Sequence, residues 1–198
     1  MKKSIFIAVL GLTAGIASSY GQGFVGFSSY LANGTAGATT TIFGGSTLVP
    51  AGYTAALYYF IGTVSDPVDN NSIASITSLP IGLTALGFTQ SFATGSATAG
   101  YFDGGAATIP GYTAASGPIT FEVVAYNGAS YDTSTIRGRS GSFTMTGIAT
   151  GNQGVPYLGD NGTAMPNFFV APVPEPTTLA LVGLGGLASL VAFRRKQA

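Results

Sequence analysis

Of the chain's thirty glycines, twenty-four lie between residues 22 and 173, scattered with Thr, Ser and Ala between short aromatic or β-branched runs. Glycine in that setting marks many short strands joined by turns. Residues 23–30 read as a first strand, Asn33-Gly34 as a turn and Thr39 to Phe43 as a second strand. Tyr53 to Val64 places Tyr53, Ala55, Leu57, Tyr59 and Ile61 on one face and Thr54, Ala56, Tyr58 and Phe60 on the other. Neither face is polar, so this strand is expected to be central and covered on both sides, or partly buried beneath a partner.

Residues 65–72, with Asp66, Pro67, Asp69, Asn70 and Asn71, form the clearest loop, combining proline with side chains that cap turns. Leu86 to Phe92 and Ala99 to Phe102 read as a hairpin across Thr94-Gly95-Ser96, and Ala106 to Ile109 as a short edge strand. The best strand is Pro118 to Tyr126, with Ile119, Phe121, Val123 and Ala125 on one face and Glu122 on the other, expected to meet solvent. Asn127-Gly128 turns the chain, and Ser142 to Thr146 alternates cleanly. Residues 151–173 lose all periodicity and run into Pro166, Pro172 and Pro174, which suits a tether. About nine short strands with no amphipathic helix predict an all-β body, an antiparallel β-sandwich. A β-solenoid is the alternative, but no fixed repeat period is visible.

Both ends read differently from this body. Lys2 and Lys3, an apolar run from Ile5 to Ile16 and the small residues Ala17, Ser18, Ser19 and Gly21 form a signal peptide over residues 1–21. At the other end, Pro174, Glu175 and Pro176 precede an uncharged run from Thr177 to Phe193, closed by Arg194, Arg195 and Lys196. Those seventeen residues make a helix of about 25 Å, at the short end of what spans roughly 30 Å of hydrocarbon. Cations placed after the apolar run stay on the cytoplasmic side, so everything before Pro174 is expected to lie outside.

At these residues the chain resembles the PEP-CTERM sorting signals of Gram-negative bacteria. The likeness rests on Val173-Pro174-Glu175-Pro176, then Thr177-Thr178, a Gly/Leu/Ala-rich helix and the basic stop. The resemblance implies recognition by an exosortase, a membrane-embedded cysteine transpeptidase-like enzyme, removal of the helix at the inner membrane, and delivery to the cell surface or extracellular matrix. It makes Pro174, Glu175 and Pro176 the sorting motif, and Arg194, Arg195 and Lys196 the stop that fixes orientation. The expected organisation is a signal peptide at 1–21, a body at 22–163, a Pro-containing linker at 164–173 and the sorting signal at 174–198.

Composition narrows the chemistry of the body. Its charges are Arg137 and Arg139 against Asp66, Asp69, Asp103, Glu122, Asp132 and Asp160, a balance of two minus six, or minus four. That excess of acid disfavours nucleic acid, whose binding relies on Lys and Arg neutralising phosphates. Histidine and cysteine are absent, which removes the Ser-His-Asp and Cys-His nucleophile systems, the usual zinc sets and any disulfide. Six carboxylates remain as the raw material for a glycosidase pair, but none lies in a motif, and no catalytic residue, metal or cofactor is expected. Asp66, Asp69, Asn70 and Asn71 put several hard oxygen donors in one loop without the spacing of a calcium-binding EF-hand. Ten Tyr and thirteen Phe offer faces for stacking on sugars, although most fall at alternating positions where a core needs them. Arg137 and Arg139 share a face, where Asp132 or Glu122 is expected to form a surface ion pair. Asn33-Gly-Thr35, Asn70-Asn-Ser72 and Asn161-Gly-Thr163 match the glycosylation pattern, which in a bacterial exported chain is most simply chance. The expected function is that of an exported, non-enzymatic surface or matrix protein; the alternative is a module binding the extracellular polysaccharide.

Overall fold

A computed structural model describes residues 22–151 and 153–174. The expected signal peptide, the apolar span and the basic stop lie outside the described residues. Among the described residues, no helix is long and apolar enough to cross a membrane.

The body is mostly β, as its turn-punctuated sequence implies. In chain order it contains β1 (Gln22–Ser28), α1 (Ala32–Thr35), β2 (Thr40–Ile42), β3 (Thr54–Ile61), α2 (Ile73–Thr77), β4 (Thr84–Ser91) and β5 (Asp103–Pro110). There follow β6 (Ile119–Tyr126), β7 (Ile136–Arg139), β8 (Phe143–Met145), β9 (Ala149–Thr150) and β10 (Phe168–Pro172). A small sheet runs β5-β1-β9, and a larger one runs β2-β10-β7-β6-β3-β4 with β8 added to β6. Val25 and Phe27 of β1 and Ile109 of β5 share one buried cluster with Leu57 of β3 and Ile119, Phe121 and Val123 of β6. The apolar faces of the two sheets thus bury each other, which removes both from water.

The sheets are mixed rather than wholly antiparallel, because β10 pairs with β2 in parallel and with β7 antiparallel. Parallel pairing needs a long crossover. It arises here because β10 comes from the stretch that was expected to be a tether. Phe168, Val170 and Ala171 are buried, and so are Leu158 and Met165 before them. The Asn33 amide holds this stretch by both backbone groups of one residue: Nδ2 donates to the Met165 carbonyl at 2.9 Å and Oδ1 accepts from the Met165 N–H at 2.7 Å. Half of the expected linker at 164–173, Phe168–Pro172, is therefore a strand of the body. Irregular spacing hid it, since bonds from distant residues hold it in place of a local pattern.

The strand expected to carry one solvent face is buried on both. Every residue of β6 is buried, and β6 lies between β3 and β7. Its outer face is covered by the 127–135 connection, where Tyr131 packs on Val124 and Tyr126 with Ala56 and Tyr58 of β3 beside them. The Tyr131 hydroxyl donates to the Ser78 carbonyl at 2.8 Å, tying this cover to the end of α2. Helix α2 starts at Ser72, whose hydroxyl accepts from the Ser75 N–H, the usual N-cap arrangement. Five residues are too few to show a helical period in sequence.

The expected hairpin of residues 86–92 with 99–102 is reduced to a single bridge, because β4 pairs with β3 instead. Phe92 and Phe102 form an isolated bridge, and the Ala93 N–H donates to the Tyr101 carbonyl at 2.9 Å. The chain then crosses into the other sheet, so β5 is an eight-residue edge partner of β1, longer than the four residues expected. At Asn33-Gly34 the backbone is left-handed at both residues, the conformation that asparagine and glycine accept most readily.

Candidate functional site

Three places in the body bring chemistry-bearing side chains together. The first is buried on the outer face of the large sheet. Arg139, on β7, places Nη1 2.8 Å from Glu122 Oε1 and 2.9 Å from Asp66 Oδ2. Its Nη2 donates to Asp66 Oδ1 at 3.2 Å and Ser78 Oγ at 3.0 Å, and Nε donates to the same hydroxyl at 3.2 Å. Asp66 is fixed in turn by the Ile81 N–H, which it accepts, and by its own N–H donating to Ser142 Oγ at 2.8 Å.

This network corrects two expectations. Glu122 does not meet solvent and Arg139 does not form a surface pair: their side chains are 0% and 3% exposed. Residues 65–81 lie across the face that the alternation pattern left open. Burial pushes the Glu122 carboxyl up to about 8, only partly countered by the hydrogen bond and charge of Arg139. Its Oε2 has no hydrogen-bond partner among the described residues. Glu122 and Asp66 share one guanidinium, but both side chains are sealed from solvent, whereas a glycosidase pair must flank a cleft that admits a sugar. Arg137 does not join them; it donates to the carbonyls of Thr77, Tyr131 and Asp132 and lies over the Tyr131 ring at 5.0 Å.

The oxygen-rich loop does not gather its donors. The Asp66 carboxylate is committed to Arg139, whereas Asp69 Oδ1 accepts from the Asn71 N–H at 2.9 Å, closing a local turn. Among the described residues there is no group of three or more acidic, His or Cys side chains placed to hold a metal.

The second place is a cleft of about 160 Å³ beside the β4–β5 connection, lined by Tyr30, Thr98, Tyr101 and Asp103 among others. Tyr30 and Tyr101 meet edge to face with centroids 5.5 Å apart, and Tyr30 is 52% exposed. Among the rings that could stack on a sugar only if exposed, Phe60 is exposed, Tyr58 and Tyr101 are half-buried, and Tyr112 is buried with its hydroxyl donating to the Gly117 carbonyl at 2.7 Å. They form no single row.

The third place is an open groove of about 570 Å³ between the turn after β2 and the loop before α2. Phe43 and Gly44–Ser46 come from the turn, Asn70 and Asn71 from the loop and Phe169 from β10. Sequence reasoning singled out the two asparagines but missed Phe43 and Phe169. The Phe168-Phe169-Val170 run was the available signal, set aside because the surrounding stretch has no period.

The chain leading up to the sorting motif is tied to this body as far as Val173. The Val173 N–H donates to the Thr135 carbonyl at 2.8 Å, and Pro174 is exposed. Glu175, Pro176, Arg194, Arg195 and Lys196 lie outside the described residues. No curated protein and no solved structure matches the chain. Residues 172–196, however, match the family model of the PEP-CTERM protein-sorting motif. The chain therefore carries a PEP-CTERM sorting motif, which implies export and exosortase-directed targeting to the cell surface.

Proposed function

We propose that this is a non-enzymatic protein of the cell surface or extracellular matrix, passed across the inner membrane and processed by an exosortase through Pro174-Glu175-Pro176 and the segment that follows. The observation that carries this reading is the motif match at 172–196, which begins on the last residue of β10. The body ahead of it is a folded unit, read as two sandwich layers, whose own last strand is complete at Pro172. The non-enzymatic part is supported by the absence of His and Cys and, among the described residues, by the enclosure of Glu122 and Asp66 around Arg139. Glu175→Ala tests the sorting role: it is expected to change localisation without altering the body's melting, and unaltered processing would count against it.

A second reading, binding of matrix polysaccharide, is favoured by the open groove at Phe43 and Phe169. It is compatible with the same sorting route and concerns what the body does after delivery.

A further inference from the structure

We infer that the groove between Phe43, Phe169, Asn70 and Asn71 is a binding site for a short stretch of uncharged polysaccharide. The inference rests on the carbohydrate-binding reading and locates it on the molecule. Its volume of about 570 Å³ lies inside the range of roughly 300–1,000 Å³ typical of small-molecule sites. Two types of side chain converge there, and each suits a different part of a sugar.

The rings supply the apolar contact. Phe43 and Phe169 are both half-buried, with centroids 6.3 Å apart and planes at 86°. In such an edge-to-face pair one ring uses only its edge, so its own faces remain uncovered by the partner. An aromatic face is electron-rich and attracts the slightly positive C–H groups on the flat side of a pyranose.

The amides supply the polar contact. Asn70 and Asn71 are exposed, and each carries two N–H donors and one carbonyl acceptor, a set that serves hydroxyls acting in either sense. The loop that presents them is held by other groups: the Asp69 N–H donates to Ser75 Oγ at 2.8 Å, and the Ser72 N–H to the Asp69 carbonyl at 3.0 Å. Helix α2 packs on β10, which brings this loop beside Phe169. The turn opposite is fixed by the Phe43 N–H donating to the Val170 carbonyl at 2.9 Å. Both walls are therefore anchored to one strand, so little ordering is left for binding to impose.

Charge selects the class of polymer. The groove is lined by Phe, Gly, Ser and Asn, with no ionisable side chain, and the surrounding body carries an excess of acid. Uronate-rich or sulfated chains would gain no cationic partner there and would meet repulsion from the body as a whole. A neutral glycan meets no such penalty.

The experiment uses the protein purified from its exporting host and affinity electrophoresis through gels containing neutral polysaccharides, namely a soluble β-glucan, dextran and galactomannan, with alginate as the acidic arm. At least one neutral polymer is expected to retard the protein while alginate does not. The double variant Asn70→Ala/Asn71→Ala, and separately Phe43→Ala, should each weaken that retardation at least tenfold with melting unchanged. Tyr30→Ala, in the other cleft, should leave it intact. Loss confined to Tyr30→Ala, or equal retardation of the groove variants and the parent, would overturn the groove and keep the carbohydrate reading. No retardation by any neutral polymer would overturn both, and retardation by alginate alone would overturn the neutral-glycan assignment.

Discussion

Arg139 and Glu122 face each other across neighbouring strands with Nη1 and Oε1 2.8 Å apart, and the same Nη1 also contacts Asp66. One cation facing two carboxyl groups out of water is balanced when one carboxyl retains a proton. Desolvation assigns that proton to Glu122, whose carboxyl is raised to about 8. The folded protein thus holds a proton that the unfolded chain releases near pH 4.5. The contribution of Glu122 to stability is full below that value and is lost as pH rises through about 8, at about 1.4 kcal/mol per pH unit in between. Chemical denaturation from pH 5 to 9 should show this decline. In Glu122→Gln the decline should flatten, whatever its effect on stability at low pH; an unchanged slope would place the proton elsewhere.

Removing the cation has a different signature. Arg139→Met leaves Asp66 and Glu122 buried together, and breaking such a pair costs about 3–5 kcal/mol. The loss should be larger at pH 9 than at pH 6, because Glu122 is neutral at the lower value. Equal losses at the two pH values would contradict the shared network.

Gly138 marks the closest approach of β7 to β10. A Cβ there would collide with the Phe169 carbonyl, which is backbone and has no rotamer to give way. Gly138→Ala should therefore lower the melting temperature, with a loss of stability at or above the upper end of the roughly 1–3 kcal/mol typical of overpacking. Gly154→Ala, where added bulk meets nothing within 4 Å, should be near neutral by the same thermal melt.

The end of the body is also testable by truncation. Because β10 buries Phe168 and Val170 between β2 and β7, a chain ending at residue 163 should fail to fold. A chain ending at residue 174 should melt as the untruncated body does. Circular dichroism of the two separates a structural strand from a spacer.

What the sequence made legible, and what it hid, has a physical pattern. Strands β3 and β6 were located closely, because a continuous aromatic and β-branched run shows in one strand alone, whether or not both its faces are covered. Glu122 was misplaced because a polar residue in an alternating run signals solvent only when nothing covers that face, and here residues 65–81 and 127–135 do. Strand β10 was missed because its support comes from Asn33 and the β2 backbone, more than a hundred residues away. The groove had the same difficulty: its asparagines were noticed together, but the partners that give them meaning are Phe43 in a distant turn and Phe169 on β10. The presence of a PEP-CTERM signal was legible, since a contiguous stretch, residues 172–196, carries the match.

Intact-mass measurement of the protein recovered from the surface fraction of its native host tests the central claim most directly. The account predicts a mature chain that begins after the signal segment, retains β10 and lacks the apolar run from Thr177 to Phe193. A surface protein whose mass still includes that run and Arg194-Arg195-Lys196 would contradict it.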